Sequence, residues 1–279
     1  GTVNRAYAIA DHYRKKGVCV VIGGVHASLM PDEALNHADA IVTGMAFETW
    51  PQLLLDFKNG ALKRNYDQSP QMNFSNLPSP RKDLLPKFSY ISKNTIQATF
   101  GCPYKCDFCA VISTQKKYLR RPVEDVIKEI SEMNGNFVTF IDPSPMEDKK
   151  YIKRLLREMI PLKKMWGGLA TVKIGDDEEL MDLCAESGCK GLLIGFESVE
   201  QDALVEINKG FNVVEKYRNL CTRLHERGIA INGTFIFGMD SDTKDTFRRT
   251  VDFVQENAIE LPRSVSYTHL TLPTKALVG

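Results

Sequence analysis

The sequence predicts an α/β protein in two parts, and three observations carry that prediction. From Thr95 onward, short β-branched and aromatic runs alternate with helical stretches, as repeated βα units do. Nearer the N-terminus, Val18–Ile22 is continuously apolar, like a strand buried on both faces of a parallel sheet. Between them lies a stretch broken by Pro70, Pro78, Pro80 and Pro86 with weak periodicity, which reads as a linker.

Taken in order, Tyr7, Ile9, Ala10 and Tyr13 mark a helical face that stops at Lys15-Lys16-Gly17. Val18–Ile22 follows as a strand and ends at Gly23-Gly24. Pro31-Asp32-Glu33 opens a short helix, Ala40–Thr43 is a second strand ending at Gly44, and Phe47–Phe57 is a helix closed by Asn59-Gly60. After the linker, strands are expected at Ile96–Phe100, Phe137–Ile141, Gly168–Val172, Gly191–Phe196 and Ile229–Phe237. Helices are expected at Val123–Met133, Asp148–Met159 and Asp177–Glu186, as a bent pair over Glu200–Arg227, and at Thr243–Gln255. Right-handed βαβ crossovers put the C-terminal ends of all these strands on one rim, where barrel sites form.

Composition narrows the function classes. With 279 residues, 43% of them apolar and 25% charged, the chain has room for one large domain or two modest ones. A net charge of +1 makes no electrostatic case for nucleic acid or an anionic membrane. No apolar run is long enough to span a bilayer. Seven cysteines, three of them clustered, suit a reducing cytoplasm better than a disulfide scaffold.

The chemistry sits in Gly101-Cys102-Pro103-Tyr104-Lys105-Cys106-Asp107-Phe108-Cys109, directly after the first strand of the βα series. Three thiolates in C-x3-C-x2-C spacing can grip three irons of a four-iron cluster and leave the fourth open to a ligand. An electron-carrier cluster or a structural zinc wants a fourth ligand nearby, and Cys19, Cys184, Cys189 and Cys221 are scattered. Zinc and an accidental grouping stand as the competing readings.

This loop, with Phe108 before its last cysteine, resembles the signature of the radical SAM superfamily. The resemblance implies a partial (β/α)6-type barrel over 95–264, with Cys102, Cys106 and Cys109 holding a [4Fe–4S] cluster. It also implies that the open iron chelates S-adenosylmethionine and that reduction cleaves it to a 5′-deoxyadenosyl radical. Carried over by position, Asp142 in Phe140-Ile141-Asp142-Pro143 is a partner for the methionine amino group. Glu197 and Ser198 in Gly195-Phe196-Glu197-Ser198 reach the ribose or amino group. Ile236, or alternatively Phe237, packs on adenine, and Lys173 is a candidate for the ligand's carboxylate. Helix capping is the competing reading for Asp142, Glu197 and Ser198, core packing for Ile236 and Phe237, and an exposed lysine for Lys173. The role of Asn208-Lys209 does not follow from the sequence.

Residues 1–60 resemble the C-terminal half of the Rossmann-like cobalamin-binding domain that precedes many radical SAM domains. The match lies in Gly23-Gly24-Val25-His26-Ala27-Ser28 and in Gly44-Met45-Ala46-Phe47-Glu48. It implies cobalamin contacts from Gly23, Gly24, Gly44 and Glu48, since loops at the C-terminal edge of a parallel sheet form the ligand crevice and glycine admits close backbone approach. His26 is expected to bond locally rather than to cobalt. Residues 61–94 are the linker, in which Asp83-Leu84-Leu85-Pro86 with Phe88 and Tyr90 is similar to a segment that lies over the barrel entrance. Residues 265–279 resemble a translated sequencing adapter and are expected to be a non-native tail, on a chain shortened at both ends.

The function these resemblances imply is cobalamin-dependent C-methylation, or a related radical transformation such as cyclisation, of a small metabolite in the cytoplasm. An external one-electron reductant such as flavodoxin or ferredoxin would feed it. Two alternatives remain open: a radical SAM enzyme whose cobalamin domain is inactive, or a non-catalytic cobalamin or iron–sulfur sensor.

Overall fold

The computed structural model describes residues 2–68, 72, 74, 75, 77–86, 92–114 and 117–266. Phe88, Tyr90, Pro70 and most of the expected tail lie outside the described residues.

The chain forms two units, the first comprising Gly1–Leu77 with Ala110–Lys117 and the second Pro78–Cys109 with Tyr118–Gly279. In the first, α1 (Thr2–Arg14) leads to β1 (Val21–Gly23), α2 (Val25–Leu29), α3 (Pro31–Leu35), β2 (Ala40–Thr43), α4 (Thr49–Lys58) and β3 (Asn65–Asp67). The strands form a parallel sheet in the order β1-β2-β3. β1 starts later than the apolar run suggests. Gly17 turns left-handed at φ +75° and Val18 N donates to Tyr13 O, so Val18 and Cys19 are spent on leaving the helix. The strand β3 lies in the stretch expected as linker. Of its three residues only Tyr66 is buried, so no alternation announces it.

The second unit opens with β4 (Thr95–Ile96) and β5 (Thr99–Phe100). After α5 (Val111–Thr114), which belongs to the first unit and packs on its α2, come β6 (Leu119–Arg120), α6 (Val123–Glu132), β7 (Phe137–Phe140), α7 (Lys149–Met159) and β8 (Met165–Ala170). Then follow α8 (Glu178–Glu186), β9 (Cys189–Glu197), α9 (Gln201–Glu206), α10 (Tyr217–Glu226), β10 (Ala230–Phe237), α11 (Lys244–Glu256) and β11 (Leu261–Ser266). Six parallel strands pair in the order β11-β10-β9-β8-β7-β4, each βα unit adding to the same side, as in a barrel. Asp148, Asp177 and Thr243 cap the helices they precede, each side chain accepting from an orphan amide of the first turn.

One detail departs from expectation. The first strand is broken: β4 stays in the main sheet, while β5 pairs antiparallel with β6. The sixth strand that a (β/α)6-type barrel calls for is β11, which pairs with β10 from Asn232↔Leu261 to Phe237↔Ser266. It is exposed throughout and contains Pro262 and Arg263, so it carries no buried-strand pattern, and it runs through Val265 and Ser266. The core of this unit joins both faces of the sheet to its helices, with Trp166, Tyr217, Phe196, Leu155, Leu156 and Met159 fully buried.

Candidate functional site

Because the six strands are parallel, one edge of the sheet collects every C-terminal end. That edge receives the cysteine loop after β5, Asp142 after β7, Lys173 after β8, Glu197 at the end of β9 and Ile236 near the end of β10.

Gly101 starts the loop at φ +77°. Cys102 and Cys109 are half-buried and Cys106 is buried, with Cys109 N donating to Cys106 O at 3.1 Å. Burial pushes the Cys106 thiol up to about 11; the Lys209 cation pulls it down, while Cys109 and Cys102 push it further up. Burial also raises Cys102. Cys102 and Cys106 are thereby biased towards neutral thiols, and metal loading must displace their protons. Among the described residues, no three His, Cys, Asp or Glu side chains converge as one bound ion would require. Three thiolates that each take their own iron face no such requirement, and soft sulfur donors suit an iron–sulfur cluster.

The loop is held from behind by the end of α9. Asp107 N donates to Ile207 O at 3.2 Å, and Asn208 Nδ2 donates to Lys105 O at 2.9 Å. Phe108 packs on an apolar group of Ala203, Ile207, Ile236 and Met239. Ile236 thus faces the cysteine loop. Phe237 turns the other way and stacks on Phe247 at 4.6 Å.

Glu197 owes its position to a bulge. The β9–β10 ladder runs Gly195↔Thr234 and then Glu197↔Phe235, skipping Phe196, and Glu197 sits at φ +66°. A bulge re-aims the side chain that follows it. Here Glu197 Oε1 accepts from Lys209 Nζ at 2.6 Å and Oε2 from Thr234 Oγ1 at 3.3 Å, with both charged side chains buried. Asn212 Nδ2 donates to Gly195 O and Phe196 O, and Tyr217 OH donates to Phe196 O, which pairs the carbonyls the bulge frees. A Cβ on Gly195 would lie 2.7 Å from Lys209 Nζ, so a side chain there would push the ion pair out of its present place. Ser198 is buried and its Oγ accepts from Glu200 N at 3.0 Å, at the start of α9.

Asp142 is fully buried beneath the strand that feeds the loop. Its Oδ1 accepts from Ala98 N at 2.9 Å, from Thr99 N, and from Thr99 Oγ1 at 2.7 Å. The carboxylate thereby replaces the ladder partner that β4 and β5 lose where the strand breaks. Burial pushes its carboxyl up to about 6 against these hydrogen bonds, and Oδ2 has no hydrogen-bond partner among the described residues. Lys173 Nζ lies 4.8 Å from the Tyr104 ring centroid and 5.1 Å from that of Phe211, two rings stacked at 4.1 Å. Tyr104 OH donates to Glu147 Oε2, and Glu147 Oε1 accepts from Ser144 and Thr171. Sequence reasoning missed Thr99, Glu147 and the Glu197–Lys209 pair. The one signal for the last was the Asn208-Lys209 dipeptide.

In the first unit, the loops after β1 and β2 are stitched together. Ser28 Oγ donates to Gly24 O and accepts from Gly44 N, both at 2.9 Å. Gly24 at φ +97° and Gly44 at φ +77° use backbone that side chains avoid, and a Cβ on Gly44 would meet Gln68 Cβ at 2.9 Å. Glu48 and Gln68 bond reciprocally, Glu48 N to Gln68 Oε1 and Gln68 Nε2 to Glu48 Oε2. Gly23, Gly24, Gly44 and Glu48 thus line one end of the small sheet, with Ser28 and Gln68 as companions the sequence did not flag. His26 bonds Glu33 Oε1 at 3.0 Å.

Against known proteins, the family model described as the radical SAM superfamily matches residues 96–254. Two relatives from Chlorobaculum tepidum are each 32% identical to the chain: the bacteriochlorophyllide d C-12(1)-methyltransferase and the C-8(2)-methyltransferase. Both matches cover 92% of this chain but only 59% and 61% of the respective relatives, so the chain spans about three fifths of their length. Among solved structures, the radical S-adenosylmethionine methyltransferase TsrM from Kitasatospora setae, with cobalamin and a [4Fe–4S] cluster bound, aligns with TM-score 0.77 at 19% identity. That alignment covers 95% of this chain and 58% of TsrM. The cobalamin-dependent S-adenosylmethionine radical enzyme OxsB aligns with TM-score 0.72 at 16% identity, over 97% of this chain and 44% of OxsB. At these identities the structural likeness concerns the fold.

Proposed function

The chain belongs to the radical SAM superfamily, and from that premise we propose that it acts in a cobalamin-dependent enzyme that methylates an unactivated carbon of a small metabolite. One observation carries this reading: the three-cysteine loop sits on the rim of a parallel βα sheet, packed through Phe108 on Ile236 and beside the buried Glu197. When bound, the cluster and S-adenosylmethionine supply the electron and the breakable carbon–sulfur bond, and cobalamin supplies a methyl carrier.

The protein's part is to hold and orient. Cys102, Cys106 and Cys109 hold three irons. Ile236 and Phe108 form an apolar wall for the adenine. Glu197, a carboxylate at a βα turn, is an acceptor for ribose hydroxyls or the ligand's amino group. The amino group's other acceptor is Asp142 Oδ2, the oxygen that has no hydrogen-bond partner among the described residues. Ser198 supports that wall by fixing the start of α9. Gly23, Gly24 and Gly44 let backbone approach a corrin or its nucleotide tail, with Glu48 held ready by Gln68.

The division of the chain into a partial cobalamin-binding domain over 1–60, a linker over 61–94 and a barrel over 95–264 belongs to the same proposal. So do a cytoplasmic location and a flavodoxin or ferredoxin as electron donor. No helix among the described residues is long and apolar enough to cross a membrane. The two relatives at 32% identity are named for a bacteriochlorophyllide, which makes a chlorin the substrate class to try first.

The test is anaerobic reconstitution with iron, sulfide, cobalamin and methyl-labelled S-adenosylmethionine, followed by reduction. Formation of 5′-deoxyadenosine, with label transferred to an added chlorin, supports the proposal. A reduced cluster that yields no 5′-deoxyadenosine contradicts it.

A further inference from the structure

We infer that Lys209 is a positioning residue for the cysteine loop whose buried charge sets how readily the iron–sulfur cluster takes up an electron. The inference rests on the radical SAM reading of that loop and goes beyond it.

The geometry comes first. Three consecutive residues leaving α9 grip the loop at three separate points. Ile207 offers its carbonyl to Asp107 N at 3.2 Å. Asn208, held left-handed at φ +56°, donates its side-chain amide to Lys105 O at 2.9 Å. Lys209 places Nζ 5.7 Å from the Phe108 ring centroid. Each contact falls on a residue adjacent to Cys106 or Cys109, so the metal-binding side chains and Lys209 are parts of one rigid arrangement.

The charge comes second. Lys209 is 7% exposed, a rare place for lysine, and Glu197 meets its charge at 2.6 Å. The bulge, the left-handed Glu197 and the missing side chain at Gly195 all serve to seat this pair. Structural economy alone does not require it, because replacing a buried ion pair by packed apolar groups is often neutral or stabilising.

The consequence for electron uptake follows from Coulomb's law. A cluster that accepts one electron from an external one-electron donor becomes one charge more negative, with no bond broken in that step. A fixed cation nearby favours the reduced form and a fixed anion opposes it, and burial keeps salt from screening either. Lys209 and Glu197 therefore act in opposite senses on the same equilibrium. A purely structural pair would not separate in this way.

The test is a redox titration of the anaerobically reconstituted full chain, without S-adenosylmethionine, followed by electron paramagnetic resonance of the reduced cluster. The variants are Lys209→Gln, Glu197→Gln, the double variant and Lys209→Arg. Lys209→Gln should lower the ratio of reduced to oxidised cluster at fixed potential by roughly tenfold, about 59 mV for a one-electron couple. Glu197→Gln should raise that ratio, while Lys209→Arg and the double variant should stay near the wild type. Where Lys209→Gln leaves Glu197 unpaired and the protein does not load iron, Glu197→Gln and the double variant carry the test. Single variants that shift in the same direction, or not at all, overturn the inference and leave Lys209 a packing role. A wild-type chain that holds no cluster overturns the radical SAM reading itself, which is a separate failure.

Discussion

Replacing Asp142 by Asn isolates the cost of burying a charge under the cysteine loop. The carboxyl is fully buried, and burial moves it from its ordinary 3.8 to about 6 despite the hydrogen bonds from Ala98 and Thr99. Each tenfold in the proton equilibrium is worth about 1.4 kcal/mol, so ionisation costs the folded protein on the order of 3 kcal/mol. The sign follows from the direction. A carboxyl raised on folding contributes stability that is complete below its unfolded value of 3.8 and is lost as pH rises through about 6. Asn keeps an oxygen for Ala98 N and Thr99 and carries no charge to pay for. The difference in unfolding free energy should therefore move in favour of Asp142→Asn by ~2 kcal/mol between about pH 4.5 and 7. Urea titrations at several pH values measure it. The chain has two tryptophans, and a Trp50→Phe background leaves the buried Trp166 to report on the second unit alone. A difference that stays constant over this range, or moves against the variant, would refute the reasoning.

Other predictions concern buried packing within the second unit. Glu129 is buried between Lys82 at 3.0 Å and Arg121 at 2.9 Å, so Glu129→Ala strands two cations and should cost roughly 3–5 kcal/mol in the same urea assay. A cost below about 1 kcal/mol would mean that the site is wetter than its burial indicates. Gly195→Ala drives a methyl group against Lys209 and Glu197 and should cost roughly 1–3 kcal/mol. It should also lower iron retention with little change in far-ultraviolet circular dichroism; unchanged iron content and stability would contradict the crowding argument.

Much of this was legible in the sequence because it rests on local pattern. The alternation after Thr95 located β7, β8, β9 and β10 and most of their helices to within a few residues. The cysteine spacing was equally plain. What stayed hidden depends on partners far apart in the chain. The break between β4 and β5 exists because Asp142, more than forty residues on, offers its carboxylate to Ala98 and Thr99. The two-residue strands β5 and β6 have too few residues to show a period. α2 was obscured by the glycines before it, which suggest a turn and not the helix that Gly24 leads into. Among candidate site residues, Asp142 and Glu197 could be placed at strand ends. That one would clamp backbone and the other pair with Lys209 required the bulge in β9, which follows from no local propensity.

Counting metal decides whether three thiolates hold a four-iron cluster. Anaerobically reconstituted chain should bind four irons and four sulfides per molecule. Cys106→Ala should lose them together with the broad visible absorption of thiolate-held clusters. Zinc in place of iron, or a Cys106→Ala variant that keeps the full complement, would contradict the account.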